Sequence, residues 1–361
     1  MPISPDVVNV LVALTDHTNP SAHHNALQAL NSSLNSTNES FSFFITNFAQ
    51  CMSSTDNTVP NHLRQIAGYL LKNNINSPPY LVSNPLKRCS LTTSTTQEVQ
   101  NCLLTSLQDP DNEIRKTAST VISSAISNSI ITLESWPNLL NFISSSLTGV
   151  NNNSFPFHGA LLTILKISQD SPNKLDTDTL NRPLNQLVPI LLNLFTHNIP
   201  AVRKRAIQTI QSYVEIFPHA LAVNIEHVIS NLGKLASDQS SGVRQEVATT
   251  IVHLLDLRAE YITKHLSPIC EFMLVSLSDA DEGVGLAATE FFFSLFSSTM
   301  VNEQRRKLVT SSFNLLQVSE RASVRREPNA LGTNKNYQLF FVLAASSNVA
   351  GSHGLQRRRC C

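Results

Sequence analysis

The residues best equipped for chemistry are scattered along this chain. Among its 361 residues are eleven His and six Cys, the latter at 51, 89, 102, 270, 360 and 361. None of the cysteines has the close C-x-x-C-like pairing that zinc sites use, and no spaced His/Asp/Glu set has metal-ligand geometry. His23-His24 is the only adjacent histidine pair. A Gly-rich phosphate loop, a nucleophile elbow and a paired-carboxylate motif are all missing. The polar residues that do recur in register are Arg64, Arg115, Arg203 and Arg244, with His23 and His158 in equivalent places. Asp109 and Asp238 lie six residues before Arg115 and Arg244, and Asp279 lies six before Gly285. Such a ladder predicts Asp–Arg contacts between stacked turns, which position repeats and make or break no bonds. The chain is therefore read as a non-enzyme without a cofactor.

The elements that must carry this ladder follow from its apolar neighbours. An apolar residue precedes each Arg or His, a small or aliphatic residue follows four positions on, and a large apolar one eight on. The copies begin at Ala22, Leu63, Ile114, Phe157, Val202, Val243 and Val284, at intervals of 41, 51, 43, 45, 41 and 41 residues. Positions i, i+4 and i+8 line one face of a helix, and a period near 41 is that of a HEAT or armadillo array. The expected fold is an all-α, right-handed superhelical solenoid of antiparallel helix pairs. First helices are expected near 5–16, 40–53, 96–108, 136–148, 183–196, 223–237 and 263–278. Second helices are expected near 20–34, 58–74, 111–128, 155–169, 199–216, 241–257 and 282–298. Pro110 and Pro137 supply helix-start signals.

Composition agrees with this plan. Only 10 Gly occur, too few for a hairpin-rich fold, and 42% of residues are hydrophobic, enough for a continuous core. Of 26 Lys/Arg and 26 Asp/Glu, residues 317–361 hold seven and two, leaving 19 against 24 in residues 1–316. The repeats thus lack the basic stripe that phosphate tracking needs, and nucleic acid is excluded as the main partner. No apolar run approaches the ~18 residues of a membrane span. Without a signal peptide the cysteines are expected to be reduced and intracellular.

Two segments depart from the period. The 51-residue interval implies an insertion from about Ser77 to Thr96, where Pro78-Pro79 and a Thr/Ser run indicate a loop. An eighth repeat begins near Glu303, giving a solenoid domain over 1–316 of seven helix pairs and one further first helix. Residues 317–361 lose the pattern and are expected to be an unrelated disordered tail from an altered reading frame or gene-model error. Its Arg357-Arg358-Arg359-Cys360-Cys361 end has the form of a prenylation signal, but prenylation of such ends requires a GTPase body.

Four stretches go beyond periodicity: Arg64 to Asn74, Trp136 to Leu140, Leu180 to Asn185 with Val188-Pro189, and Asp279 to Glu282 leading to Ala288–Phe292. Together they resemble the transportin branch of the importin-β (karyopherin-β) family over residues 1–316. The resemblance implies a monomeric nuclear transport receptor that shuttles between cytoplasm and nucleus. It implies binding of the GTP form of the small GTPase Ran by the early repeats, and of nucleoporin Phe-Gly repeats. Import cargo bearing a nuclear localisation signal is held in that family mainly by a later half, which these residues do not match. A generic HEAT scaffold of a protein complex is the alternative.

In the family the second helices line the concave side, so the implied Ran contacts are Arg64, Gln65, Gly68, Lys72, Asn73, Arg115 and Lys116. Nucleoporin contacts are expected between outer first helices at Leu192, Phe195 and Ile229. The rings of Phe291, Phe292, Phe293 and Phe296 are assigned mainly to the core.

Overall fold

The computed structural model describes residues 3–16, 18–55, 59–149 and 154–297. The eighth repeat, Phe296's side chain and the 317–361 tail lie outside the described residues. The helices are α1 (Pro5–Thr15), α2 (Pro20–Ser36), α3 (Asn38–Ser53), α4 (Asn61–Asn76), α5 (Thr93–Ser106), α6 (Asn112–Ser127), α7 (Pro137–Thr148) and α8 (Phe155–Asp170). They continue as α9 (Leu184–Asn193), α10 (Pro200–Gln211), α11 (His219–Leu235), α12 (Ser241–Leu257), α13 (Ala259–Ile262), α14 (Leu266–Ser276) and α15 (Glu282–Ser297). The architecture is an all-α HEAT-repeat solenoid of antiparallel helix pairs. Residues fall into two compact units, divided between Ile190 and Leu191.

Local chemistry sets the helix starts. Pro5, Pro20, Pro137, Pro156 and Pro200 occupy first-turn positions, where a missing N–H costs nothing. Side chains of Asn19, Thr37, Thr92, Asp111 and Ser154 cap α2, α3, α5, α6 and α8, each satisfying an otherwise orphaned N–H. Pro189 lies inside α9, and the helix gives way to a 3-10 turn at Leu194–Thr196.

In the first unit α4, α6 and α8 stack in sequence, with α3 and α5 packed side by side in the other layer. Val7, Phe41, Ile45, Leu71, Ile114, Ile122, Phe157 and Ile164 are among its buried residues. Small residues let the stacked helices approach closely. A Cβ on Gly68 would lie 2.4 Å from the Thr117 methyl and 2.7 Å from Met52 Sδ, and one on Gly159 would lie 2.0 Å from the Leu107 carbonyl oxygen. Between α6 and α8, Ser119 Oγ meets Thr163 Oγ1 at 3.1 Å. Ser123 Oγ donates to the Asp170 carboxylate at 2.7 Å.

In the first pair α1 packs on α4, while α2 packs mainly on α1 and α3. The reason is composition. Within α2 only Leu30 and Leu34 are buried, so this helix presents a broad polar face.

The insertion forms a small antiparallel hairpin, β1 (Tyr80–Leu81) with β2 (Asn84–Arg88). It is tied to the end of α2 by Val82 N–H donating to Asn35 O at 2.9 Å and by the Cys89 thiol donating to Leu34 O at 3.4 Å.

In the second unit α10 packs on α12 and α12 on α15. Phe195, Tyr213, Ile225, Val247, Met273 and Phe291 are buried there.

Candidate functional site

The recurring arginines act in two directions. Backward, Nη1 donates to carbonyls of the turn that opens its own helix. Arg115 reaches Asp109 O at 2.5 Å and Pro110 O at 2.9 Å; Arg203 reaches His197 O at 2.6 Å; Arg244 reaches Asp238 O at 2.7 Å. Forward, the other nitrogens reach the carboxylate of the next repeat's turn. Arg203 holds Asp238 through Nε at 2.8 Å and Nη2 at 2.7 Å, and Arg244 holds Asp279 through both at 2.7 Å. Arg64 reaches Asp109 through Nη2 alone, because its Nε donates instead to Met52 O at 3.0 Å.

Each carboxylate also accepts a backbone N–H two residues on: Asp109 from Asp111 at 2.8 Å, Asp238 from Ser240 at 2.9 Å, Asp279 from Asp281 at 3.0 Å. Charge-assisted, two-pronged pairing of this kind is geometrically specific. Hydrogen bonding to Arg244 holds the Asp279 carboxyl below its ordinary range against the opposing effect of burial, and the same bond raises Arg244.

Arg115 is the incomplete rung. No Asp or Glu occurs between Glu134 and Asp170, so the following turn offers no carboxylate. Arg115 Nε finds no partner among the described residues, and the guanidinium lies over the Phe155 ring at 5.4 Å. Burial pulls its pKa down, opposed by Asp109 and Asp111. Gly285 stands in the arginine position of α15.

This geometry sorts the expected contact residues. Arg64 and Arg115 are buried, 5% and 6% exposed, and their donors are turned inward to the pairs just described. Gly68 is buried against Met52 and Thr117, so helix crossing accounts for it. On α4, Gln65 and Lys72 are half-buried and Asn73 is exposed. Tyr69, 51% exposed, lies between them at helical spacing and was not anticipated; its i+4 position from Gln65 was the available signal. On α6, Lys116 is exposed and bridges Glu113 at 2.7 Å, a hydrogen bond that lowers the Glu113 pKa. The surface formed by these stacked helices is therefore Gln65, Tyr69, Lys72, Asn73 and Lys116.

Leu192, Phe195 and Ile229 do not form an outer groove. They are 7%, 1% and 7% exposed and belong to the packing, because first helices of a repeat bury more than one stripe. The exposed apolar residues on α11 and α14 are Val223 (67%) and Val275 (75%). Phe291 and Phe292 are buried as expected, whereas Phe293 is 54% exposed.

Cys51, Cys89, Cys102 and Cys270 are buried and unpaired. Burial pushes Cys51 up to about 11 and Cys270 to about 12. Among the described residues no group of three or more His, Cys, Asp and Glu is placed to hold a metal, and no helix is long and apolar enough to cross a membrane.

Residues 71–268 match the family model described as "Dynein axonemal assembly factor 5-like, TPR repeats". Transportin of Dictyostelium discoideum is 31% identical over 243 residues, 66% of this chain and 24% of its own length. Transportin-1 of Mus musculus is 32% identical over 232 residues, 64% and 24% of the two lengths. The chain belongs to this repeat family and, with the transportins, to the karyopherin-β family. Among solved structures, Kap121p bound to Nup53p superposes with a TM-score of 0.68 at 14% identity, covering 96% of this chain and 33% of that one, a likeness of fold. This karyopherin-β chain thus spans about a quarter of the length of the curated relatives it matches.

Proposed function

We propose that the chain is a transport-receptor segment of the transportin type that binds Ran in its GTP form through the exposed face of α4 and α6. The observation that carries this reading is the polar stripe of Gln65, Tyr69, Lys72, Asn73 and Lys116, on early repeats of a chain related to transportin. Lys72 and Lys116 supply charge for carboxylates of the partner, and Gln65, Asn73 and Tyr69 supply neutral hydrogen bonds and ring surface. A broad polar surface of this kind distinguishes nucleotide states because the GTPase switch loops are ordered only with the γ-phosphate in place. The receptor reads a conformation and performs no chemistry. Nucleoporin Phe-Gly segments are assigned to the outer first helices, around exposed Val223 and Val275 rather than buried Phe195. In this role the protein shuttles between cytoplasm and nucleus.

The test is a pull-down of the folded chain with Ran loaded with GTP or GDP. Retention of the GTP form alone, and its loss in Lys72→Glu/Lys116→Glu at unchanged helicity, is the expected outcome. Equal retention of both forms, or none, refutes the reading. A scaffold of a protein assembly has the repeat-family match over 71–268 in its favour, and a stoichiometric complex without Ran or nucleoporins would establish it instead.

A further inference from the structure

Lys87 and Arg88 end β2, and their neighbourhood is unlike any other basic pair of the chain. Of all adjacent Lys/Arg pairs in the sequence, theirs alone is followed two residues later by a hydroxyl residue, in Lys87-Arg88-Cys89-Ser90-Leu91. The pair at 115–116 leads to Ala118, and those within 203–205 lead to Ala206 and Ile207. Two cations at −3 and −2 with an apolar residue at +1 form the charge pattern by which basic-directed Ser/Thr kinases select substrates. Between Asp56 and Glu98 the sequence has no carboxylate at all, so nothing nearby in the chain opposes the acidic groove of such an enzyme.

The structure presents this sequence on the surface. Every residue of β2 is exposed, Leu86 at 93%. The Arg88 guanidinium is held over the Tyr80 ring at 4.8 Å, on the outside of the hairpin. Ser90 is exposed; its backbone N–H donates to Asn38 Oδ1 at 3.1 Å, and its hydroxyl has no hydrogen-bond partner among the described residues. The hairpin is also poorly suited to strand addition. Pro85 lacks an N–H, and the Leu86 N–H is taken by Asn84 Oδ1 at 3.1 Å, devices that blunt a sheet edge. Side-chain recognition of the extended segment remains open, and the hairpin's short attachment, through Leu81, Cys89 and a few backbone bonds, lets the segment open locally at small cost.

We propose that Ser90 is a phosphorylation site for a protein kinase directed by basic residues, with Lys87 and Arg88 as its specificity determinants. Ser90 Oγ attacks the γ-phosphorus of ATP. The new O–P bond forms as the bond to the β,γ-bridging oxygen breaks, ADP departs with that electron pair, and the hydroxyl proton passes to the kinase base. The product carries about −1.5 to −2 charges at neutral pH, which offsets the two cations of the hairpin and turns its basic surface neutral. None of these residues belongs to the α4–α6 surface, so the site stands whether or not Ran binds there.

The test uses the full chain, the catalytic subunit of cAMP-dependent protein kinase and Mg-ATP, with phosphopeptide mapping by mass spectrometry. One phosphate is expected, on Ser90; it disappears in Ser90→Ala, and Lys87→Ala/Arg88→Ala loses most of the incorporation. A synthetic peptide spanning residues 80–96 serves as the unfolded control. Labelling of the peptide but not of the folded chain overturns the proposal, as does labelling of the chain that is unchanged in Ser90→Ala or in the double variant.

Discussion

Three helical glycines make one substitution give three different outcomes. On intrinsic propensity alone, Gly→Ala inside a helix stabilises by about 0.5–1 kcal/mol. Gly233 in α11 shows this gain undiluted, because a Cβ there meets nothing within 4 Å. Gly159 in α8 reverses it. Its added Cβ would lie 2.0 Å from the Leu107 carbonyl oxygen and 2.9 Å from the carbonyl carbon, whereas real Cβ contacts do not fall under 3.0 Å. The α8 backbone and the end of α5 must therefore separate by at least 1.0 Å, the difference between those two distances. The obstacle is main chain, so no rotamer change relieves it, and the cost belongs at the upper end of overpacking, about 3 kcal/mol. After the propensity gain, Gly159→Ala is expected to lose about 2 kcal/mol. Gly68→Ala falls between them, since the obstructing atoms belong to the Thr117 and Met52 side chains, and methionine repacks readily. Urea unfolding of the three variants, followed by far-UV circular dichroism, measures the order Gly233→Ala above wild type above Gly68→Ala above Gly159→Ala. A Gly159→Ala protein as stable as wild type would show that the close approach of α8 to Leu107 is not part of the native packing.

Three further outcomes follow from the ion-pair relay and the buried thiols. Asp109→Ala leaves Arg64 buried and unpaired, side chains that are 6% and 3% exposed in the native pair, and is expected to cost about 3–5 kcal/mol in urea titration. Asp279→Asn tests pH linkage: the folded-state pKa of Asp279 is lowered by Arg244, so its contribution is complete above the unfolded value of about 3.9 and fades as pH falls through the folded value. The stability gap between wild type and Asp279→Asn is accordingly expected to be constant from pH 7 to about 5 and to close in stronger acid. Cys51 and Cys270, raised to about 11 and about 12, are expected to resist thiol reagents near pH 8 in the native protein and to react on unfolding.

Helix positions were legible because apolar residues at i, i+4 and i+8 and first-turn prolines leave few other arrangements. The expected second helix near 241–257 is α12, Ser241–Leu257, and the one near 155–169 is α8, Phe155–Asp170. The arginine ladder was legible as a pattern, but its wiring was not. Asp238, six residues before Arg244, offers Arg244 its carbonyl, while its carboxylate serves Arg203, a distinction that depends on how successive turns stack. The contact surface suffered from the same ambiguity: Arg64 and Lys72 are both cations on α4, and only packing reveals that one is buried against Asp109 and the other half-exposed. Leu192, Phe195 and Ile229 failed as outer contacts because apolar periodicity does not separate a helix's buried stripe from a groove beside it. The hairpin at 80–88 had no sequence period to announce it, Pro85 arguing against a strand.

The forward reach of the arginines has a genetic corollary. Arg203 to Asp238 and Arg244 to Asp279 both span 35 residues, and the arginines themselves recur after 41. Duplication or excision of one 41-residue block anywhere between these rungs presents every arginine with a carboxylate at its accustomed distance. Such an event leaves no orphaned guanidinium at the junction. Loops of other lengths are tolerated where the acid is kept, as Arg64 and Asp109 show across 45 residues, whereas loss of the acid itself strands the arginine, as at Arg115. The relay therefore acts as a copying frame, under which whole-repeat changes are structurally silent and loss of a turn's carboxylate is not.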